Sequence, residues 1–131
     1  MTIAENVRAA LETLAPSEEK VNLAVQTAVE VAKPSRVILF GSWARGEARW
    51  DSDLDMAVIL PDTSESKLLE IRRTLRRKLD HVPMTIDLVI ATEGFANRFR
   101  NEINSIYRRI LLEGKIAYEQ RPEHASADPS D

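Results

Sequence analysis

Cysteine is absent from this 131-residue chain, only 5% of its residues are aromatic, and glycine occurs four times. No apolar run approaches the roughly 20 residues of a membrane span. Each shortage excludes something. Without cysteine there is no disulfide frame and no cysteine-based zinc site. The amino terminus, MTIAENVRAALETL, lacks both the basic start and the unbroken apolar core of a signal peptide, so a cytoplasmic protein with no membrane partner is expected. Basic charge is short as well. With 18 Lys and Arg against 21 Asp and Glu the net charge is −3, which argues against direct nucleic-acid binding through a general basic coat. A chain that is 44% hydrophobic and 30% charged has the composition of a soluble globular protein, and its length suits one core.

Hydrophobic spacing and turn residues divide the chain into short elements. Thr2-x-x-Glu5 is a capping-box pattern, followed by Ile3, Val7, Leu11 and Leu14 at helical spacing. Pro16-Ser17 breaks that helix, and Ser17 caps a second whose stripe of Val21, Ala24, Val25, Ala28 and Ala32 ends before Pro34. Arg36–Phe40 and Leu54–Leu60 read as buried strands. Ser64 or Ser66 opens a helix reaching Asp80, with Leu68, Leu69, Ile71, Leu75 and Leu79 on its inner side. Met84–Ile90 reads as a third strand, Phe95–Leu112 as one last helix, and a short strand follows Gly114. The order αα-β-α-β-α-β-α-β predicts an α/β (α+β) domain with a small mixed β-sheet flanked by helices. One domain is expected over 1–118, with amino-terminal helices in 2–33, a core in 36–90 and a closing helix and strand in 94–118. Residues 119–131 lack aromatic and large aliphatic side chains and read as a disordered tail.

The chemistry concentrates in Gly41–Asp55, GSWARGEARWDSDLD. Gly41 permits a sharp turn and a close approach to a ligand. Ser42 fits an N-cap, and a helix start with its unpaired N–H groups favours phosphate oxygens. Gly46 is expected to stop that short helix. Side chains alternate along a strand, so Asp53 and Asp55 project from one face. Two carboxylates on one face repel unless a cation lies between them. Mg²⁺ suits the place, held by one or two carboxylates while phosphate oxygens and waters complete its octahedron. Asp87 sets a lone charge between Ile86 and Leu88, where it can complete a two-metal cluster or serve as a base toward an attacking hydroxyl.

The pattern G-S-x-A-R-G, then S-D-x-D, then a later strand aspartate resembles the minimal nucleotidyltransferase (MNT) family of the polymerase-β-like nucleotidyltransferases. The likeness runs from about Val37 to Asp87, and Ile110–Tyr118 also resembles the end of such proteins. The resemblance implies the polymerase-β-like nucleotidyltransferase fold, with ATP as substrate and one or two Mg²⁺. It makes Gly41, Ser42 and Arg45 nucleotide-binding, and Asp53, Asp55 and Asp87 both catalytic and metal-binding. It further implies an antitoxin that adenylylates and neutralises a HEPN-family ribonuclease toxin, in an oligomer or hetero-oligomer. Two other functions fit the same motif. One is a small-molecule, antibiotic-type adenylyltransferase, and the other is a non-catalytic antitoxin that acts by binding alone.

Outside this segment the signals are plainer. Arg72, Arg73, Arg76, Arg77 and Lys78 are interleaved with Glu65, Glu70 and Asp80, which reads as a solvated face with ion pairs. Trp43 and Trp50 read as packing the loop onto the domain. Arg98, Arg100, Arg108 and Arg109 on the last helix are not separable by sequence, and neither His81 nor His124 has a metal-ligand partner in the pattern.

Overall fold

The computed structural model describes residues 2–120, with side chains left out at 8–12. The capping box at the start is formed: Thr2 N donates to Glu5 Oε2 at 3.0 Å and Glu5 N to Thr2 Oγ1 at 3.2 Å. It opens α1 (Ile3–Thr13). The ammonium of Lys20 closes the turn after α1 by donating to the carbonyls of Thr13 and Ala15. Ser17 caps α2 (Glu18–Ala32), its Oγ accepting from Lys20 N. Lys33, at φ 47, turns the chain out of that helix ahead of Pro34. Of the apolar stripe that begins in α1, Ile3, Val7 and Leu14 are exposed.

β1 (Arg36–Phe40), α3 (Gly41–Ala44) and β2 (Leu54–Leu60) follow. α4 (Glu65–Leu79), capped by Ser64, crosses over to β3 (Ile86–Thr92). Among the described residues the strands make one mixed sheet in the order β3-β2-β1-β4, with β4 spanning Lys115–Glu119. β2 and β3 are parallel, while β1 runs antiparallel to both β2 and β4. A helical crossover is what a parallel pair requires, and α4 supplies it.

One face of the sheet carries Val37, Leu39, Leu54, Met56, Val58, Leu60, Ile86, Leu88 and Ile90, buried under α2 and α4. Alternation puts Ile38, Phe40, Ala57, Ile59 and Ala91 on the other face, beneath a smaller cover that includes Ala96 and Ile110. This thinner layer leaves one end of the second face open. On α4, Leu75 and Leu79 are buried and Leu68 and Ile71 partly so, but Leu69 turns outward. Leu69 directly follows Leu68 in the sequence, so it lies a third of a turn away from the buried stripe.

Two boundaries differ from the periodicity reading. The third strand runs from 86 to 92 rather than 84 to 90, so Asp87 stands at its entrance. The last helix is two helices, α5 (Glu93–Arg98) and α6 (Ile106–Glu113). Asn104 takes the left-handed conformation at φ 71, and Ser105 restarts the helix by accepting from Tyr107 N at 3.1 Å. Phe95, Phe99 and Tyr107 pack across the break, with ring centroids 4.9, 5.4 and 6.3 Å apart. At the other end of the chain's expected tail, Glu119 closes β4 and Gln120 N bonds Ser35 O. The rest of that tail lies outside the described residues.

The end of the sheet away from the motif is fastened by ions. Arg36 grips Glu93 with both arms, at 3.0 Å (Nε–Oε2) and 2.7 Å (Nη2–Oε1), and Ser35 Oγ donates to Oε2 at 2.7 Å. Burial works against the Glu93 charge, but the hydrogen bonds from Arg36 and Ser35 and the Arg36 charge outweigh it and hold the pKa below its ordinary 4.5. Glu93→Ala is expected to cost about 1–3 kcal/mol by urea unfolding at pH 7. Because the folded pKa is depressed, that contribution is present above the ordinary carboxylate pKa and disappears as pH falls through the folded value. A wild-type advantage undiminished at pH 3 would contradict this account.

Candidate active site

The carboxylates come together because of strand register. Asp55 is the second residue of β2, paired with Phe40 on β1 and with Asp87 on β3. Ile86 and Leu88 are buried on the helix-covered face, which turns Asp87 to the opposite and open one. Asp55, Ala57 and Ile59 share that open face, as do Asp87, Val89 and Ala91. Asp53 lies two residues before Asp55, just outside the strand, and is exposed. Neighbouring strands are about 4.8 Å apart, so Asp55 and Asp87 are side by side.

Their mutual repulsion shows in the acidity of Asp55. Burial raises its pKa above the ordinary 3.8, and the charges of Asp87 and Asp53 and a hydrogen bond with Asp87 raise it further, against the pull of Arg109. A face of acceptor-only oxygens that repel one another fits a hard cation chemically. Yet among the described residues no group of three or more acidic, histidine or cysteine side chains forms a ready metal cage.

Gly41, directly after β1, stands against Asp55. It has φ 74, and a Cβ placed there would lie 1.9 Å from Asp55 Oδ2. No side chain fits, so the backbone of the turn is held directly against the carboxylate. α3 begins at Gly41 itself, with Phe40 in the N-cap position and no side-chain cap bond. Ser42 is therefore not the N-cap that the sequence suggested. It is the second residue of a four-residue helix, half-buried, and its carbonyl accepts from Glu47 N at 2.9 Å. Gly46, at φ 73, ends the helix as expected.

Arg45, which the resemblance groups with Gly41 and Ser42, makes its contact on the surface. Its Nε pairs with Glu47 Oε1 at 2.8 Å on the surface, with both side chains more than half exposed. The loop beyond closes on itself, Arg49 N donating to Ser52 Oγ and Ser52 N to Arg49 O. Trp43 packs on the main core as expected, whereas Trp50 is 52% exposed beside a shallow hollow lined by Leu14, Asp51, Ser52 and Thr85. The basic stretch of α4 is exposed, and the one ion pair on that helix among the described residues is Lys67 with Glu70 at 4.0 Å. Arg109 is the residue the sequence did not single out. It belongs to α6, and its charge reaches Asp55.

Comparison with known proteins agrees with this layout. The family model described as polymerase beta, nucleotidyltransferase matches residues 24–123. A Methanocaldococcus jannaschii protein bearing the provisional name protein adenylyltransferase is 32% identical over 84 residues, which cover 63% of this chain and 77% of that one. Two solved structures are similar to parts of this chain. One is a toxin-antitoxin with AMP-PNP, at 22% identity and TM-score 0.47, covering 75% of this chain and 73% of that one. The other is a protein from Sulfolobus solfataricus, provisionally described as a nucleotidyltransferase, at 16% identity and TM-score 0.47, covering 80% and 91%.

Proposed function

Because the chain belongs to the polymerase-β nucleotidyltransferase family, and is thus a nucleotidyltransferase, we propose that it transfers AMP from ATP to a hydroxyl of a protein partner. The observation that carries this reading is the meeting of Asp55, Asp87 and the Gly41 turn at one open end of the sheet. The relative whose provisional name is protein adenylyltransferase supports the protein acceptor.

In this scheme the Gly41 backbone and the Ser42 hydroxyl hold phosphate oxygens, and Asp53 and Asp55 hold Mg²⁺, with Asp87 beside them. The bound ion would supply positive charge to the triphosphate and to the departing pyrophosphate. The acceptor oxygen attacks the α-phosphorus, its proton passes to the Asp87 carboxylate, and the bond to the bridging oxygen breaks. Asp87 suits the role because it is exposed, at the rim rather than beneath it. The work is positioning and electrostatics, with no covalent enzyme intermediate.

As the partner we propose a HEPN-family ribonuclease toxin, neutralised in the cytoplasm by AMP on one of its hydroxyls. No helix among the described residues is long and apolar enough to cross a membrane. The test is to incubate the purified chain, Mg²⁺ and α-labelled ATP with a HEPN protein encoded beside it. Label should appear on the partner with the wild-type chain and be absent with Asp53→Ala. An unlabelled partner, or neutralisation that survives Asp53→Ala intact, would favour binding without catalysis.

A further inference from the structure

α4 turns its arginines toward a free edge of the sheet. β3 is an edge strand, with β2 on one flank and no strand among the described residues on the other. Leu54 N donates to Thr85 O at 2.9 Å. Successive carbonyls of a strand point to opposite flanks, so Ile86 O points away from β2. Arg76 Nη1 donates to that outward carbonyl at 3.2 Å. The bond ties the side of α4 that bears Arg76 to the β3 edge, next to Asp87, which is exposed.

Arg72, Arg73 and Arg77 share that side. At helical spacing the four arginines fall within an arc of about 140° and a length of about 8 Å, and all four are exposed. The interleaved acids do not neutralise them. Glu70 pairs with Lys67, and no ion pair among the described residues involves Glu65, Asp80 or any of the four arginines. Leu69, 41% exposed, lies inside the same arc. A short positive patch with an apolar side chain in it, on a chain of net charge −3, suits a protein surface better than a nucleic acid. A polynucleotide is charged along its whole length and would run from these arginines onto Glu65 or Asp80 at the ends of the patch. Arginine beside apolar surface is what protein interfaces concentrate.

We propose that this face of α4 is the docking surface for the acceptor protein, which meets it with a cluster of aspartate and glutamate side chains. This rests on the protein-acceptor reading above and names the surface that holds the acceptor. α4 covers the face of the sheet opposite the carboxylates, so an acceptor seated on the arginines reaches Asp87 around the β3 edge. The arrangement also answers a difficulty of the site itself. Asp53, Asp55 and Asp87 repel an acidic partner, and four cations along the neighbouring edge offset that repulsion.

Steady-state AMP transfer to the HEPN protein encoded beside the chain separates docking from chemistry. Arg73→Gln combined with Arg77→Gln should raise KM for the acceptor by about 10-fold at about 50 mM salt, and the difference from wild type should shrink as salt rises. kcat at saturating acceptor and KM for ATP should stay within about twofold of wild type, because neither arginine touches the reacting groups. Arg76 is kept, since it ties α4 to β3. Arg73→Lys with Arg77→Lys should recover most of the loss, and a charge-matched control, Arg100→Gln with Arg108→Gln, should change none of the three constants. Circular dichroism and the unfolding midpoint should match wild type throughout. An acceptor KM that is unchanged, or that rises equally in the control, overturns the docking assignment and leaves the nucleotidyltransfer reading intact. So does binding of a single-stranded RNA of about 20 nucleotides that the α4 variant loses while its acceptor KM stays put, which would make the face an RNA site. No label on the partner with the wild-type chain would overturn both.

Discussion

Asp55→Asn should abolish AMP transfer, by about 10³-fold or more, and yet raise the midpoint of thermal unfolding measured without metal or nucleotide. Both effects come from the same charge. Asparagine keeps the shape of the side chain but removes a carboxylate proposed to hold the metal–nucleotide, so the reaction would lose an electrostatic element it cannot replace. The unliganded fold, in contrast, bears a cost for that carboxylate. Burial, Asp87 and Asp53 raise the folded pKa of Asp55 above 3.8. Between the unfolded and folded pKa values the native state binds more protons than the unfolded chain, so stability declines as pH rises through that window and stays lower above it. Removing the charge removes the penalty at neutral pH. Glu93 contributes with the opposite sign, so the comparison is between variant and wild type at each pH rather than along one curve. The acid limb of activity should also lie above that of an ordinary carboxylate, because Asp55 must be ionised to hold the metal. A variant with a lower midpoint than wild type at pH 7, or with more than a tenth of its activity, would refute the argument. Mg²⁺ with AMP-PNP should raise the wild-type midpoint and leave that of Asp55→Asn nearly unchanged.

Much of this site was legible because strand alternation is a local rule. Asp53 and Asp55 could be assigned to one face from period two alone, while Asp87 joins them through the β2–β3 register, and the burial of Leu54, Met56, Ile86 and Leu88 on the other side bears the alternation out for Asp55 and Asp87. Caps at Thr2, Ser17 and Ser64 were readable for the same reason, since a hydroxyl and an N–H three residues on are enough. The helix break was missed although its signal was present. Apolar spacing runs on through Phe95, Phe99 and Ile103, and it hid the local preference of Asn104 and Ser105 for a left-handed turn and a cap. Ser42 was misplaced by one kind of ambiguity: a glycine at positive φ can itself be the first helical residue. Arg109 was legible only as one of four arginines of the last helical stretch, with nothing to separate it from Arg98, Arg100 and Arg108. That its charge is felt at Asp55 depends on how α6 docks on β1 through Ile110 and Gly114, and no periodicity within α6 specifies that contact. The pairing of Arg45 with Glu47 is likewise decided by how the chain leaves Gly46, beyond what the motif spacing encodes.

Gly41→Ala should cost about 10²-fold or more in kcat/KM for AMP transfer, and its companion Gly46→Ala should cost little. The two glycines have nearly the same backbone, φ 74 and φ 73, so alanine pays a similar conformational penalty at each, of the order of 1 kcal/mol or more. Their surroundings differ. A Cβ on Gly46 meets nothing within 4 Å, whereas on Gly41 it falls 1.9 Å from Asp55 Oδ2 and 2.9 Å from Asp55 Cγ. The clash cannot be relieved cheaply. Asp55 has a short side chain on a strand hydrogen-bonded on both sides, so turning its carboxylate away removes it from Asp87, and moving the Gly41 turn removes the backbone from the phosphates. Either adjustment breaks the juxtaposition on which the transfer depends. Urea unfolding should therefore show Gly46→Ala losing the backbone penalty alone and Gly41→Ala losing at least as much, while activity separates the variants far more sharply. Equal loss of activity in both would mean that the left-handed turn, rather than the contact between Gly41 and Asp55, is what this position supplies.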